Sequence, residues 1–147
     1  MYGHVSAVLA EKGRQVFTVA PSASVRHAVR QMNDAGVGGL LVVDGARPVG
    51  MFTERDVLRR VVDAGRNPNT ARVADAMTTD VVIVEPSTTV EEAMAVMTQR
   101  RFRHLPVVEG GEIVGLVSIG DLMRWVSLNQ EVHIQKLTDY ITGRHPA

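Results

Sequence analysis

Shifting the chain against itself by 65 positions aligns residues 17–61 with 82–126 without a gap, and 15 of those 45 positions are identical. The identities include Val19/Val84, Pro21/Pro86, Ser22/Ser87, Val25/Val90, Ala28/Ala93, Met32/Met97, Val42/Val107, Gly50/Gly115 and Asp56/Asp121. They are spread over the whole unit, so the copies share a topology and not merely a motif. Any fold for this chain must therefore build the same small structure twice.

The periodicity inside each copy changes in a fixed order. Val25, Ala28, Val29 and Met32, like Val90, Ala93, Met94 and Met97, keep the spacing of one helical face, with Ser24 and Thr89 placed as N-caps. LLVVDGARPVGMF and LPVVEGGEIVGLV follow, each two apolar runs joined by a glycine turn, the pattern of a β-hairpin. A second helix is expected from Thr53 or Ser118, with apolar stripes of Val57, Leu58, Val61, Val62 and of Leu122, Met123, Trp125, Val126. The unit reads strand–helix–strand–strand–helix, and the class is α/β (α+β). Residues 8–64 and 73–127 are expected to form the two repeats, and 128–143 a C-terminal helix. In that helix Ile134, Leu137 and Ile141 would share a face and Gly143 would stop it. One such unit is small for a stable core, so a pseudo-twofold pair sharing apolar helix faces is expected.

Composition narrows the function. Sixteen basic residues balance sixteen acidic ones, which disfavours bulk binding to nucleic acid or an anionic membrane. No apolar run is long enough to span a bilayer, and a chain without cysteine has neither disulfides nor a thiol nucleophile. A cytoplasmic protein is expected. His4, His27, His104, His133 and His145 have no paired metal-ligand spacing, and neither a nucleophile elbow nor a Walker-type loop occurs, so no metal and no enzymatic activity are expected. Met32, Met94 and Met97 read as core.

Two duplicated stretches remain, GMFTERD and GLVSIGD. Thr53 with Asp56, and Ser118 with Asp121, have the spacing of a capping box, which needs no ligand. The same groups at a helix N-terminus can also hold a sugar and a phosphate, since a carboxylate accepts both hydrogens of a diol and free N–H groups bind anions. Gly50 and Gly115 would leave room for a close backbone approach. RRFRHLP puts Arg100, Arg101, Arg103 and His104 where the first copy has Ala35, Gly36, Gly38 and Gly39, so the fold does not demand that charge. A solvated basic face and a phosphate contact are both open readings.

The duplicated unit, the openings VAPSASV and VEPSTTV, the strands LLVVDG and LPVVEG, and the closing GMFTERD and GLVSIGD together resemble a tandem pair of cystathionine-β-synthase (CBS) domains, the Bateman module, from about Val8 to Val126. The resemblance implies two repeats packed sheet to sheet around a cleft for adenosine ligands such as AMP, ADP, ATP, NAD or S-adenosylmethionine. It implies a sensor rather than a catalyst. Carried onto this chain, site one would comprise Thr53, Arg55 and Asp56, the adenine-facing Thr18, Val19 and Gly39, and Arg103 and His104 reaching over from the other repeat. Site two would comprise Ser118 and Asp121 with Ile83, Val84 and His104. Because Arg55 and the Arg103–His104 pair favour site one, that site is expected to bind phosphorylated ligands more tightly. The expected role is a regulatory module acting through an effector protein or as a homodimer. The alternative is a structural dimerisation module whose nucleotide sites are vestigial.

Overall fold

A computed structural model describes the backbone of residues 1–142 and the side chains of residues 1–130. The expected stop at Gly143 and the Ile134, Leu137, Ile141 face lie outside the described residues, as do the side chains of His133 and His145.

The first unit contains β1 (Thr18–Val19), α2 (Val25–Ala35), β2 (Gly39–Asp44) and β3 (Arg47–Thr53), with α1 (Val5–Lys12) preceding it in sequence. Ser24 caps α2 by accepting the His27 amide at 3.1 Å, and the helix ends at Gly36 in the left-handed conformation that glycine adopts without strain. β1 runs parallel to β2, and β2 pairs antiparallel with β3, giving a three-stranded sheet. Its closing helix, α3 (Glu54–Asp56), widens at once into a π-helical segment, Val57–Val62, whose i→i+5 bonding includes Asp63 N to Leu58 O at 3.0 Å. The expected apolar stripes are only partly buried. Val61 and Leu122 are buried, but Leu58 and Val62 are 64% and 66% exposed and Met123, the counterpart of Leu58, is 59% exposed.

The second unit repeats the order with α5 (Val90–Arg100), β4 (His104–Glu109), β5 (Glu112–Ser118) and α6 (Ile119–Thr142). Thr89 caps α5 through the Glu92 amide at 3.1 Å. Its sheet has two strands, the expected opening strand being reduced to a parallel bridge from Val84 to Val107. The tail expected as a C-terminal helix over 128–143 is, as far as Thr142, the continuation of α6, since no glycine or proline interrupts residues 121–142. No helix among the described residues is long and apolar enough to cross a membrane.

The cores do not follow the sequence boundaries. Val5, Val8 and Leu9 of α1 are buried with Val90, Ala93, Met97, Leu105, Val117 and Leu122 of the second unit. Conversely α4 (Val73–Ala76), which leads the second repeat in sequence, buries Val73 and Ala76 in the core of the first. The two docks are equivalent bond for bond. Val5 N donates to Thr88 O at 2.8 Å and Ser6 N to Pro86 O at 3.0 Å, while Val73 N donates to Ala23 O at 2.8 Å and Ala74 N to Pro21 O at 2.9 Å. The chain start is further tied down by Trp125 Nε1 donating to Tyr2 O at 2.7 Å. Each repeat thus receives its leading helix from the other side of the molecule, and the boundaries 8–64 and 73–127 describe sequence copies rather than separate packed bodies.

Leu9→Ala should therefore destabilise the whole protein by about 2–5 kcal/mol, the usual cost of emptying a buried leucine site. Denaturant unfolding followed by Trp125 fluorescence checks this. An unchanged midpoint would mean that α1 is not part of the second core.

Candidate functional site

The duplicated glycines have a structural use. A Cβ on Gly115 would stand 2.7 Å from a methyl group of Leu9, and one on Gly50 would stand 2.7 Å from Thr78 O and 2.9 Å from the Met77 sulfur. They admit the exchanged leading segments, not a ligand. This replaces the expectation that they serve ligand approach.

Both hydroxyl–aspartate pairs form capping boxes. Asp56 Oδ2 accepts the Thr53 amide at 3.0 Å and its hydroxyl at 3.2 Å, and Asp121 Oδ2 accepts the Ser118 amide at 2.8 Å. Beyond that shared geometry the two carboxylates differ. Asp56 is 5% exposed, and its second oxygen accepts the Thr78 hydroxyl at 3.0 Å with Arg60 Nε at 3.9 Å. Expected as a diol acceptor, it is instead sealed inside the protein with both oxygens engaged. The Asp121 side chain is 25% exposed, and its Oδ2 also receives Lys12 Nζ at 2.6 Å. Its Oδ1 accepts no hydrogen bond from the described residues, so one carboxylate oxygen stays available.

Asp121 opens onto a cavity of about 350 Å³. Lys12, Gly13, Gln15 and Phe17 line it from the segment leading the first repeat, and Val37, Gly38 and Gly39 from the loop before β2. His104, Leu116, Ser118 and Asp121 close it from the second repeat. The imidazole of His104 lies 3.4 Å from where a Cβ on Gly39 would stand, and Thr53 Cγ2 lies 3.2 Å from the same point, so Gly39 makes room where the two hairpins meet. A larger concavity of about 460 Å³ lies on α2 beside His27, Arg30 and Asp34, all exposed residues of one helix, and it gathers no hydroxyl or free helix end.

The expected members of the two sites therefore divide differently. Gly39, His104, Ser118 and Asp121 come together at one cavity. Val19 and Val84 are buried in the separate cores, and the backbone of Val84 is already paired to Pro106 O and Val108 N. Thr18 O accepts Gln31 Nε2 at 2.8 Å, Ile83 is half exposed, and Arg55 and Arg103 are exposed. Lys12, Gln15 and Phe17 were not anticipated. The signal was a lysine ending the apolar helix VSAVLAEK just before Gly13, but it lies outside the aligned copies.

Electrostatics distinguish the groups. Burial opposes ionisation of Asp121, but the Lys12 hydrogen bond, the Ser118 amide and the Lys12 charge outweigh it and hold the carboxyl below its ordinary range. Burial lowers the affinity of His104 for a proton below the ordinary 6.5, Asp121 opposes that, and Lys12 and Arg103 reinforce it. His104 is thus biased toward the neutral imidazole in the folded protein.

The CBS domain family matches at residues 7–63 and at 73–128. The chain belongs to the CBS-domain family. A CBS-domain structure from Burkholderia ambifaria, of a protein proposed to act in signal transduction, is 45% identical, with a TM-score of 0.83 over 86% of this chain and 96% of that one. CBS domain-containing protein YhcV of Bacillus subtilis is 36% identical over 74% of this chain and 76% of its own length. The mitochondrial CBS domain-containing protein CBSX3 of Arabidopsis thaliana is 38% identical over 82% of this chain, which spans 61% of the plant protein. An inosine-5'-monophosphate dehydrogenase of Korarchaeum cryptofilum is 40% identical over 74% of this chain, but the match takes in only 22% of that enzyme.

The neutral His104 has a pH signature. A base whose folded pKa is lowered binds fewer protons in the native state than in the unfolded one, so stability rises with pH through that window. His104 should cost nothing well above pH 6.5 and a growing amount as pH falls below it. Melting temperatures of the parent and His104→Gln should converge at pH 7.5, apart from a constant offset, and diverge at pH 5.5, with the parent losing more. Parallel curves would contradict a buried neutral imidazole.

Proposed function

We propose that this CBS pair is a non-catalytic regulatory module that binds an adenosine nucleotide in the Asp121 cavity and acts through an effector protein or through self-association. The carrying observation is Oδ1 of Asp121, which no described residue hydrogen-bonds, held beside the Ser118 hydroxyl and Lys12 on a cavity lined from both repeats. A carboxylate accepts only, which suits a ribose diol. In the N-terminal turn of α6 the Ile119 amide donates to Arg103 O and the Asp121 amide to Ser118 Oγ, which leaves the Gly120 amide for a phosphate, and a Cβ at Gly120 would meet nothing nearer than Ser118 Oγ at 3.6 Å. Phe17, Val37 and Leu116 offer apolar surface to a flat base. The volume sits at the low end of the ~300–1,000 Å³ usual for small-ligand cavities, which favours AMP over the larger ATP or NAD.

This reading reverses the order expected of the two sites. Site two, not site one, presents an accessible carboxylate. Under it, AMP raises the melting temperature of the parent, and Asp121→Ala weakens AMP binding by about tenfold or more, as loss of a hydrogen bond to a charged group implies. Asp56→Ala lowers stability and leaves the affinity for AMP near the parental value. Calorimetric titration of the three proteins tests it. Weakened binding in Asp56→Ala alone would move the site to Thr53, and no response of the parent to AMP, ADP, ATP or NAD would leave the structural dimerisation module as the better account.

Self-association has its own support. Leu58, Val62 and Met123, on the closing helices of the two repeats, are 64%, 66% and 59% exposed. Exposed apolar groups on equivalent helices call for cover. A hexameric CBS-CP12 protein from bloom-forming cyanobacteria is 30% identical with a TM-score of 0.73, over 82% of this chain and 66% of that one. Light scattering at micromolar concentration should give a homodimer for the parent and a monomer for Leu58→Glu/Met123→Glu. A monomeric parent would remove this part of the proposal.

A further inference from the structure

Lys12 belongs to neither of the duplicated motifs. It ends α1, whose apolar face is fixed in the second core, and Gly13 then turns the chain away in a conformation that only glycine takes easily, at φ +100°. This anchoring delivers the ammonium to the cavity from outside the repeat that holds Asp121. Lys12 Nζ donates to Asp121 Oδ2 at 2.6 Å and to Leu116 O at 2.8 Å, and its side chain is 29% exposed. An ammonium has three donors. Two are engaged, and the third is available to a ligand.

Asp121 consequently has two functions on its two oxygens. Oδ1 is available for a hydroxyl, while Oδ2 holds a cation against the same spot. Charged groups near the cavity include Glu54, whose carboxyl stands 3.6–3.8 Å from where a Cβ on Gly38 would be, Arg103, close enough to His104 to act on it, and Arg14, exposed between the lining residues Gly13 and Gln15. The remaining charged groups on the lining are Lys12 and Asp121, and the aspartate is already neutralised by the lysine.

We propose that Lys12 is a charge selector for this cavity, admitting adenosine ligands that carry a negative group next to the ribose and rejecting those that carry a positive one. The inference rests on the adenosine reading of the site. An anion next to the ribose gains the third ammonium donor. A cation there, such as the sulfonium of S-adenosylmethionine, meets a like charge and finds the aspartate already paired. Charge-assisted hydrogen bonds of this kind decide between ligands of similar shape because they are stronger than neutral ones.

The test is calorimetric titration of the parent, Lys12→Met and Lys12→Arg with AMP, adenosine and S-adenosylmethionine, with melting curves to verify folding. The parent should bind AMP more tightly than adenosine, and S-adenosylmethionine least. Lys12→Met should lose about tenfold in AMP affinity and change little toward adenosine. It should also gain affinity for S-adenosylmethionine, because the bared carboxylate now favours a cation. Lys12→Arg should keep the parental order. A parallel loss for all three ligands in Lys12→Met would make Lys12 a structural support and overturn the selector. An unchanged ratio of AMP to S-adenosylmethionine would overturn it equally. Absence of binding by all three to the folded parent would overturn the adenosine reading itself, and the selector with it.

Discussion

Leu9 lying on the bare backbone of Gly115, and Met77 on that of Gly50, is the contact on which the rest of this structure depends. Both side chains come from segments that precede one repeat and complete the other. α1 packs on β5 and α6 in the second core, and α4 on α2 and the 57–62 segment in the first. Small cores are marginal alone because they bury too little surface for their chain entropy. The exchange places part of each core on a segment that leads the other repeat, and the two hairpins meet at a seam between Gly39 and His104.

That exchange also makes two near-identical motifs chemically unequal. The capping boxes at Thr53 and Ser118 are local and alike. What covers each aspartate arrives with the exchanged segment. After α4 the chain brings Thr78, a neutral hydroxyl that closes over Asp56 and leaves it buried with its oxygens satisfied. At the end of α1 it brings Lys12, a long cation that reaches Asp121 from the side and leaves one oxygen open. Satisfied buried polar groups stabilise and do little else, whereas a half-paired carboxylate in a cavity can still bind.

The architecture was legible in the sequence because duplication and periodicity are both one-dimensional signals. Ser24 and Thr89 as caps, the glycine turns of the hairpins and the two capping boxes were all read from spacing alone. The exchange was not legible. The gap-free alignment ends at Phe17, and α1 and α4 are separated from their following strands by loops of unequal length, so their equivalence is masked. Gly50 and Gly115 mark in the sequence that space is required, but not that Met77 and Leu9 fill it. The stripes on the closing helices failed at Leu58 and at its counterpart Met123 in both copies, the first π-helical and the second α-helical, because an apolar side chain at helical spacing does not say whether a core or another molecule covers it. Lys12 carries no local signal, because its role comes from a contact with Asp121, 109 residues away.

Backbone hydrogen–deuterium exchange with and without AMP measures most directly whether the exchanged segment and the second repeat form one ligand site. Protection on binding is expected together at residues 12–17, at 37–39 and across the β5–α6 junction at 116–121, with residues 53–56 unchanged. Protection confined to 53–56, with none at the end of α1, would contradict the account.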